Sequence, residues 1–290
     1  MKLSKLVLVT AMMGAVGGLY GCSDGDDVCV ICGDNQTVGG TTGGGSNPGS
    51  GDPSTCPSWA SSRPIDADGN DVCQLPAVIL EDRRLTNDTV WFLESRVTVG
   101  NGNGEMSLDD TVLASGAPVE NVVLTIDAGT SVKAQTGGFA NLLITRGSRL
   151  EAVGTEDAPI IFSSDDDGFD GSGEWGGIIL HGYGLHNECL TANNGVVPCN
   201  VDAEGESGFG GGYREDDDSG TLSYIVVTEG GFEFAPGNEI NGISLIGVGS
   251  STTLDHIQIN ANADDGIEFY GGNVSAKYLV LTGNVDDSLD

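Results

Sequence analysis

Carboxylates crowd four places in this 290-residue chain. Asp165, Asp166, Asp167, Asp170 and Glu174 share one Gly-broken turn. Glu215, Asp216, Asp217 and Asp218 run consecutively. Asp264-Asp265 and Asp286-Asp287 stand 22 positions apart, each doublet ending two residues before an apolar position, Ile267 or Leu289. Oxygen-only sets of this kind suit a hard cation, and Ca²⁺ is the ligand they motivate. The metal candidates are therefore Asp165, Asp167, Asp170, Glu174, Asp216, Asp218, Asp264, Asp265, Asp286 and Asp287. If the two doublets stack on neighbouring strands about 5 Å apart, their charges repel by about 0.8 kcal/mol in water, and about four times that at a partly buried site. A cation would turn that repulsion into a structural cross-link; a solvated acidic face is the other reading of the same residues.

Positive and nucleophilic partners are scarce. Beyond Cys73 the cations are Arg83, Arg84, Arg96, Lys133, Arg146, Arg149, Arg214 and Lys277. Arg146 and Arg149 read as residues of a solvated turn, and only Arg214 lies inside an acidic cluster. His186-x-Glu188 has the spacing of a metal pair, while His181 and His256 read as surface ladder residues. Gly100-x-Gly102-x-Gly104 lacks the lysine and following helix of a phosphate loop. No catalytic or cofactor-binding residue is assigned on these grounds.

The elements that carry these residues are short. From about Pro76 onward, Val/Ile/Leu-rich runs of four to six residues recur between Gly, Asn and Asp, with little helical periodicity. GIILHG (177–182), GISLIG (242–247) and GIEFYG (266–271) share a frame, as do LSYIVVT (222–228), LDHIQIN (254–260) and AKYLVLT (276–282). TIDAGTSVKA (125–134) also aligns with LITRGSRLEA (143–152), 18 positions on. Periods of 18 to 32 residues indicate a solenoid. Alternation puts Ile178/Leu180, Ile243/Leu245, Ile267/Phe269, Ile225/Val227, Ile257/Ile259 and Leu279/Leu281 inside, so stacked coils bury continuous apolar columns. The fold class is all-β, a parallel β-helix. One interval is too long, and an insertion at about 184–219, held by Cys189 and Cys199, accounts for it. Such insertions in solenoids are common binding sites.

The N-terminal segment sets the compartment. Lys2 and Lys5 precede a short apolar run, Leu6 to Leu19, that is too short to span a bilayer. Leu19-Tyr20-Gly21-Cys22 resembles the lipobox of bacterial lipoproteins, which implies a signal peptide over 1–21, lipidation at Cys22 and anchoring at the bacterial outer membrane. An ordinary secretory signal with an incidental Cys22 is the alternative. Residues 22–55 form a Gly/Ser/Thr-rich flexible tether, and 56–75 a small loop stapled by Cys56 and Cys73. Asp66-x-Asp68-x-Asn70 in that loop starts like a calcium loop but reads as a plain turn. The β-helix occupies 76–290. The remaining cysteines pair by proximity as Cys29/Cys32, Cys56/Cys73 and Cys189/Cys199, with disulfides expected outside the cytoplasm; Cys29-Val30-Ile31-Cys32 also has redox or metal spacing. Loss of residues 1–21 removes Lys2 and Lys5 and no acid, taking the formal charge from −32 to −34. Nucleic acid and anionic lipid surfaces are poor partners for such a chain.

GSRLEAVGTEDAPIIFSSDDDG followed by GEWGGIILHG resembles right-handed parallel β-helix surface proteins of the pectin-lyase-like class. DDDSGTLSYIVV, NGISLIGVGSSTTLDHIQINANADDGIEFYGG and AKYLVLTGN are similar to bacterial surface lipoproteins, mostly of unknown activity. The resemblance covers about 120–290, and it implies a further, Trp-containing coil beyond Asp290. A lyase on this fold would need a Ca²⁺ site and an Arg or Lys base; a glycosidase would need two carboxylates at a set separation. The expectation is instead a non-enzymatic, membrane-anchored binding, adhesion or structural protein, stabilised by Ca²⁺. Outward Tyr224, Tyr270 and Tyr278 are available to stack on glycan rings.

Overall fold

A computed structural model describes residues 56–290, apart from 167, 169–170, 190–197, 203–204 and 236–237. Expectations placed on Cys22, Cys29, Cys32, Asp167 and Asp170 lie outside the described residues.

Three parallel faces stack along the axis. The first carries Arg83–Leu85, Val123–Ile126 and Arg149–Val153. The second carries Val72–Gln74, Val90–Leu93, Ser131–Ala134 and Ile160–Ser164. The third carries Val78–Ile79, Val97–Val99, Asn141–Ile144, Gly177–His181, Ile243–Ile246 and Ile267–Tyr270, with Leu289 bridging onto Ile267. Three long strands, Gly220–Thr228, Thr253–Asn260 and Ser275–Thr282, run from the first face into the second. Each turns that corner on one left-handed residue: Tyr224, His256 and Tyr278, at φ 52°, 51° and 58°. The expected parallel β-helix is the observed fold.

Apolar columns run up the inside because strand side chains alternate and parallel register aligns like positions. One column is Leu85, Ile126, Ala152, Leu222, Leu254 and Ala276. Another is Trp91, Val132, Phe162, Val227, Ile259 and Leu281. The third is Val99, Ile144, Leu180, Leu245 and Phe269. Trp175 caps this core from a corner, lying 6.5 Å from Phe162 in a stacked pair. Disulfides join Cys56 to Cys73 and Cys189 to Cys199. Asp66 receives the amides of Asp68 and Asn70 on Oδ1, so that stretch is a turn.

Four expectations need correction. The 18-residue alignment is not a coil repeat: the strands that stack are Val123 on Arg149, 26 positions apart. TIDAGTSVKA spans the corner from first to second face, whereas LITRGSRLEA spans third to first. His181 is not a surface residue but fully buried, because a loop covers the outer side of the third face. Arg146 is fully buried as well, for the same reason. Finally, the chain leaves the barrel at the third-to-first corner twice. The long excursion runs from His181 to Gly220, and a second runs from Val99 to Val123.

Candidate functional site

Both excursions leave from the same corner, and they pack on each other. Phe209 donates its amide to the Asn103 carbonyl at 2.8 Å, and Asn103 Nδ2 donates to the Ser207 carbonyl at 3.1 Å. Arg146, on the short turn of the coil between them, supports both from beneath. Its Nε donates to the Gly102 carbonyl at 2.8 Å and its Nη2 to the Gly104 carbonyl at 2.6 Å. Its Nη1 donates to the carbonyls of Cys199 and Gly211, each at 3.0 Å. The Gly100-x-Gly102-x-Gly104 run thus serves as a guanidinium cradle. Any Cβ on Gly102 would stand 2.1 Å from the Arg146 carbonyl oxygen, so the approach requires glycine. Burial lowers the pKa of Arg146 to about 10, which leaves it charged at neutral pH.

Two further side chains hold the long excursion. Arg96 donates to the Glu206 carbonyl at 2.6 Å and also to that of Gly205. His181 Nδ1 meets the Phe209 carbonyl and Nε2 the Ser207 hydroxyl, both at 3.0 Å. A carbonyl only accepts, so Nδ1 carries the proton and Nε2 receives the Ser207 hydroxyl. Burial, reinforced by Arg146, lowers the His181 pKa to about 3 and keeps the ring neutral.

Above this base the excursions enclose a groove. One part, of about 340 Å³, is lined by Met106, Leu108 and Asp110 on one side and by Tyr183, Tyr213 and Arg214 on the other. An adjoining concavity of about 410 Å³ adds Leu185, Glu215 and Asp216. Tyr213 and Arg214 border both. Arg214 lies 3.7 Å over the Tyr183 ring and pairs with Asp110 at 3.2 Å; the Tyr183 hydroxyl donates to the Asp110 carbonyl at 2.9 Å. The size matches small-ligand clefts, and an exposed phenol beside a guanidinium and carboxylates can pack a ring while bonding its hydroxyls.

The expected metal residues scatter over the same molecule. Asp216 is in the groove, but Asp218 pairs with Arg149 at 3.1 Å. Asp165 caps Thr136 through its amide and hydroxyl. Glu174 instead joins Asp166 and Glu229, and Asp264, Asp265 and Asp286 form a second cluster. Asp287 donates its amide to Asp265 Oδ1 at 2.7 Å. Burial raises the pKa of Asp265. His186 and Glu188 form a local turn: the Glu188 amide donates to His186 Nδ1 at 3.1 Å. The outward aromatics form a ladder, with His256 stacked 4.3 Å from Tyr224 and 4.5 Å from Tyr278. Their faces cover one another, while the Tyr270 hydroxyl is directed at Glu268.

Glu229, Arg96 and the excursion at 100–122 escaped sequence reading. The long interval between Val99 and Val123 was the available signal for the excursion. The unbroken apolar runs Leu142–Ile144 and Ile178–Leu180 were the signal that the third face is covered outside as well as in.

A parallel β-helix with an elaborated corner is the class that this fold and groove define. The chain matches the family of the pectate-lyase like beta helix domain over residues 106–290. It belongs to that family. No curated protein and no solved structure matches it.

Proposed function

We propose that this protein is a lipid-anchored, outer-membrane β-helix, facing the surface or periplasm, that binds neutral glycan in the groove between its two excursions. The groove with Tyr213 and Arg214 at its centre carries this reading. A lipobox-like Cys22 and a Gly/Ser tether would hold the groove away from the membrane. The formal charge of −32 disfavours nucleic acid and polyanionic glycans, so neutral chains are the better partners. Tyr224 and His256 are weaker platforms, because their rings stack on each other. Titration of neutral oligosaccharides into wild type and Tyr213→Ala tests the proposal. Truncation should weaken binding about tenfold or more, as for an aromatic hot spot. Equal affinities would remove the groove from the account.

Arg214 favours one alternative, a polysaccharide lyase, since a cation beside Asp110 in a groove is what proton abstraction next to a uronate carboxylate requires. Incubation with polygalacturonate and Ca²⁺ decides it. The lyase reading expects unsaturated-product absorbance that Arg214→Ala abolishes; the binding reading expects none.

A further inference from the structure

A second site lies at a different corner, where the second face turns into the third, and its test leaves the groove reading untouched. Here one coil supplies Asp166 and Glu174 and the next coil supplies Glu229. Each offers a carboxylate oxygen, and these atoms lie within 4.8 Å of one another. Acidic clusters on surfaces are ordinary; this one differs in Glu229, which is 0% exposed. Its Oε2 accepts from the Ser164 hydroxyl at 3.0 Å and the Thr228 hydroxyl at 3.3 Å. Its Oε1 is buried with no hydrogen-bond partner among the described residues. Ser164 has one hydroxyl proton, and Asp166 Oδ1 competes for it at 2.7 Å. Glu229 and Asp166 therefore compete for one hydroxyl proton while Glu229 Oε1 has no donor.

Two hydrogen bonds hold the turns of Glu174 and Glu229 together. Glu174 donates its amide to the Glu229 carbonyl at 2.8 Å, and Trp175 Nε1 donates to the Thr228 carbonyl at 2.7 Å. A buried carboxylate is strongly destabilising unless a charge or donors compensate it. Three carboxylate groups, one buried and two more accessible, offer an all-oxygen set of the kind that suits a hard cation such as Ca²⁺. We propose that Asp166, Glu174 and Glu229 bind a structural divalent cation, Ca²⁺, that clips two successive coils together. The Asp264, Asp265 and Asp286 cluster lacks this feature, since a backbone amide already serves the buried Asp265.

Uptake of a proton is the rival way to relieve the same crowding. Burial, then Glu174 and Asp166, raise the Glu229 pKa, with the Ser164 and Thr228 hydroxyls opposing. The two are separable by Tb³⁺ luminescence on the metal-stripped full chain. Trp175 adjoins Glu174 and is placed to sensitise the ion, whereas Trp59 and Trp91 stack on each other in the opening coils. The expected result is saturable emission displaced by Ca²⁺, weakened about tenfold or more by Glu229→Gln and by Asp166→Asn. Asp157→Asn, an exposed carboxylate at another corner, should leave it unchanged. If Glu229→Gln fails to fold by circular dichroism, the exposed Asp166→Asn decides alone. Absence of saturable, Ca²⁺-displaceable emission would overturn the proposal, as would equal affinity in Asp166→Asn. A protonated cluster gives that outcome, with stability raised by acid and not by Ca²⁺.

Discussion

Arg146 is a cation buried among carbonyls. Asn200 Oδ1, at 3.2 Å from both terminal nitrogens, completes its surroundings. Only a planar fork with five donors can reach Gly102, Gly104, Cys199 and Gly211 together; an ammonium group cannot. Arg146→Lys is therefore expected to destabilise the protein by roughly 3 kcal/mol or more, since each buried carbonyl left without a donor costs about 1–3 kcal/mol. Arg149→Ala removes an exposed ion pair with Asp218 and should cost less than about 1 kcal/mol. Urea unfolding of the two variants checks this, and equal costs would contradict the burial of Arg146. Sequence reading placed both arginines in one solvated turn because their spacing is identical in either environment. What separates them is a cover contributed by residues 102–104 and 199–211, some 40 to 65 positions away.

The long excursion is the element most exposed to acid. His181 binds it through Ser207 and Phe209, and burial beside Arg146 disfavours the charged ring. With a folded pKa of about 3 against an ordinary 6.5, the unfolded chain takes up the proton first. This contribution to stability is thus fully present above pH 6.5 and is lost as pH falls toward about 3. His186, whose pKa burial also lowers, has the same sign. Asp217 in the same excursion, together with Glu229 and Asp265, has a raised pKa; these gain stability on protonation and oppose the loss within the carboxylate range. The histidine loss sets in as pH falls from 6.5 toward that range. Urea midpoints should fall over this interval, and His181→Gln should flatten the slope; an unchanged slope would place the sensitivity elsewhere. The coil strands were legible in sequence because alternation is a local property. The excursion's attachment was not, because Ile246 looks like an ordinary strand residue until Gly210 lies over it.

Across the whole molecule each corner has its own chemistry. The first-to-second corner carries the Tyr224, His256 and Tyr278 ladder, the second-to-third corner the carboxylates, and the third-to-first corner the two excursions and their groove. Coils repeat the same path, so a residue type placed at one corner recurs there in neighbouring coils. That repetition made Asp264 and Asp286 readable as stacked, and Ile267 and Leu289 as equivalent. It could not reveal Glu229, whose partners lie on a turn of different length in the preceding coil. The groove was equally hidden, because its two walls come from excursions that break the repeat. Its role is tested most directly by measuring oligosaccharide binding to the full chain and to Tyr213→Ala, with both shown folded. Binding in the wild type that weakens about tenfold or more in the variant is the predicted result. No binding in either, or equal binding in both, would contradict it.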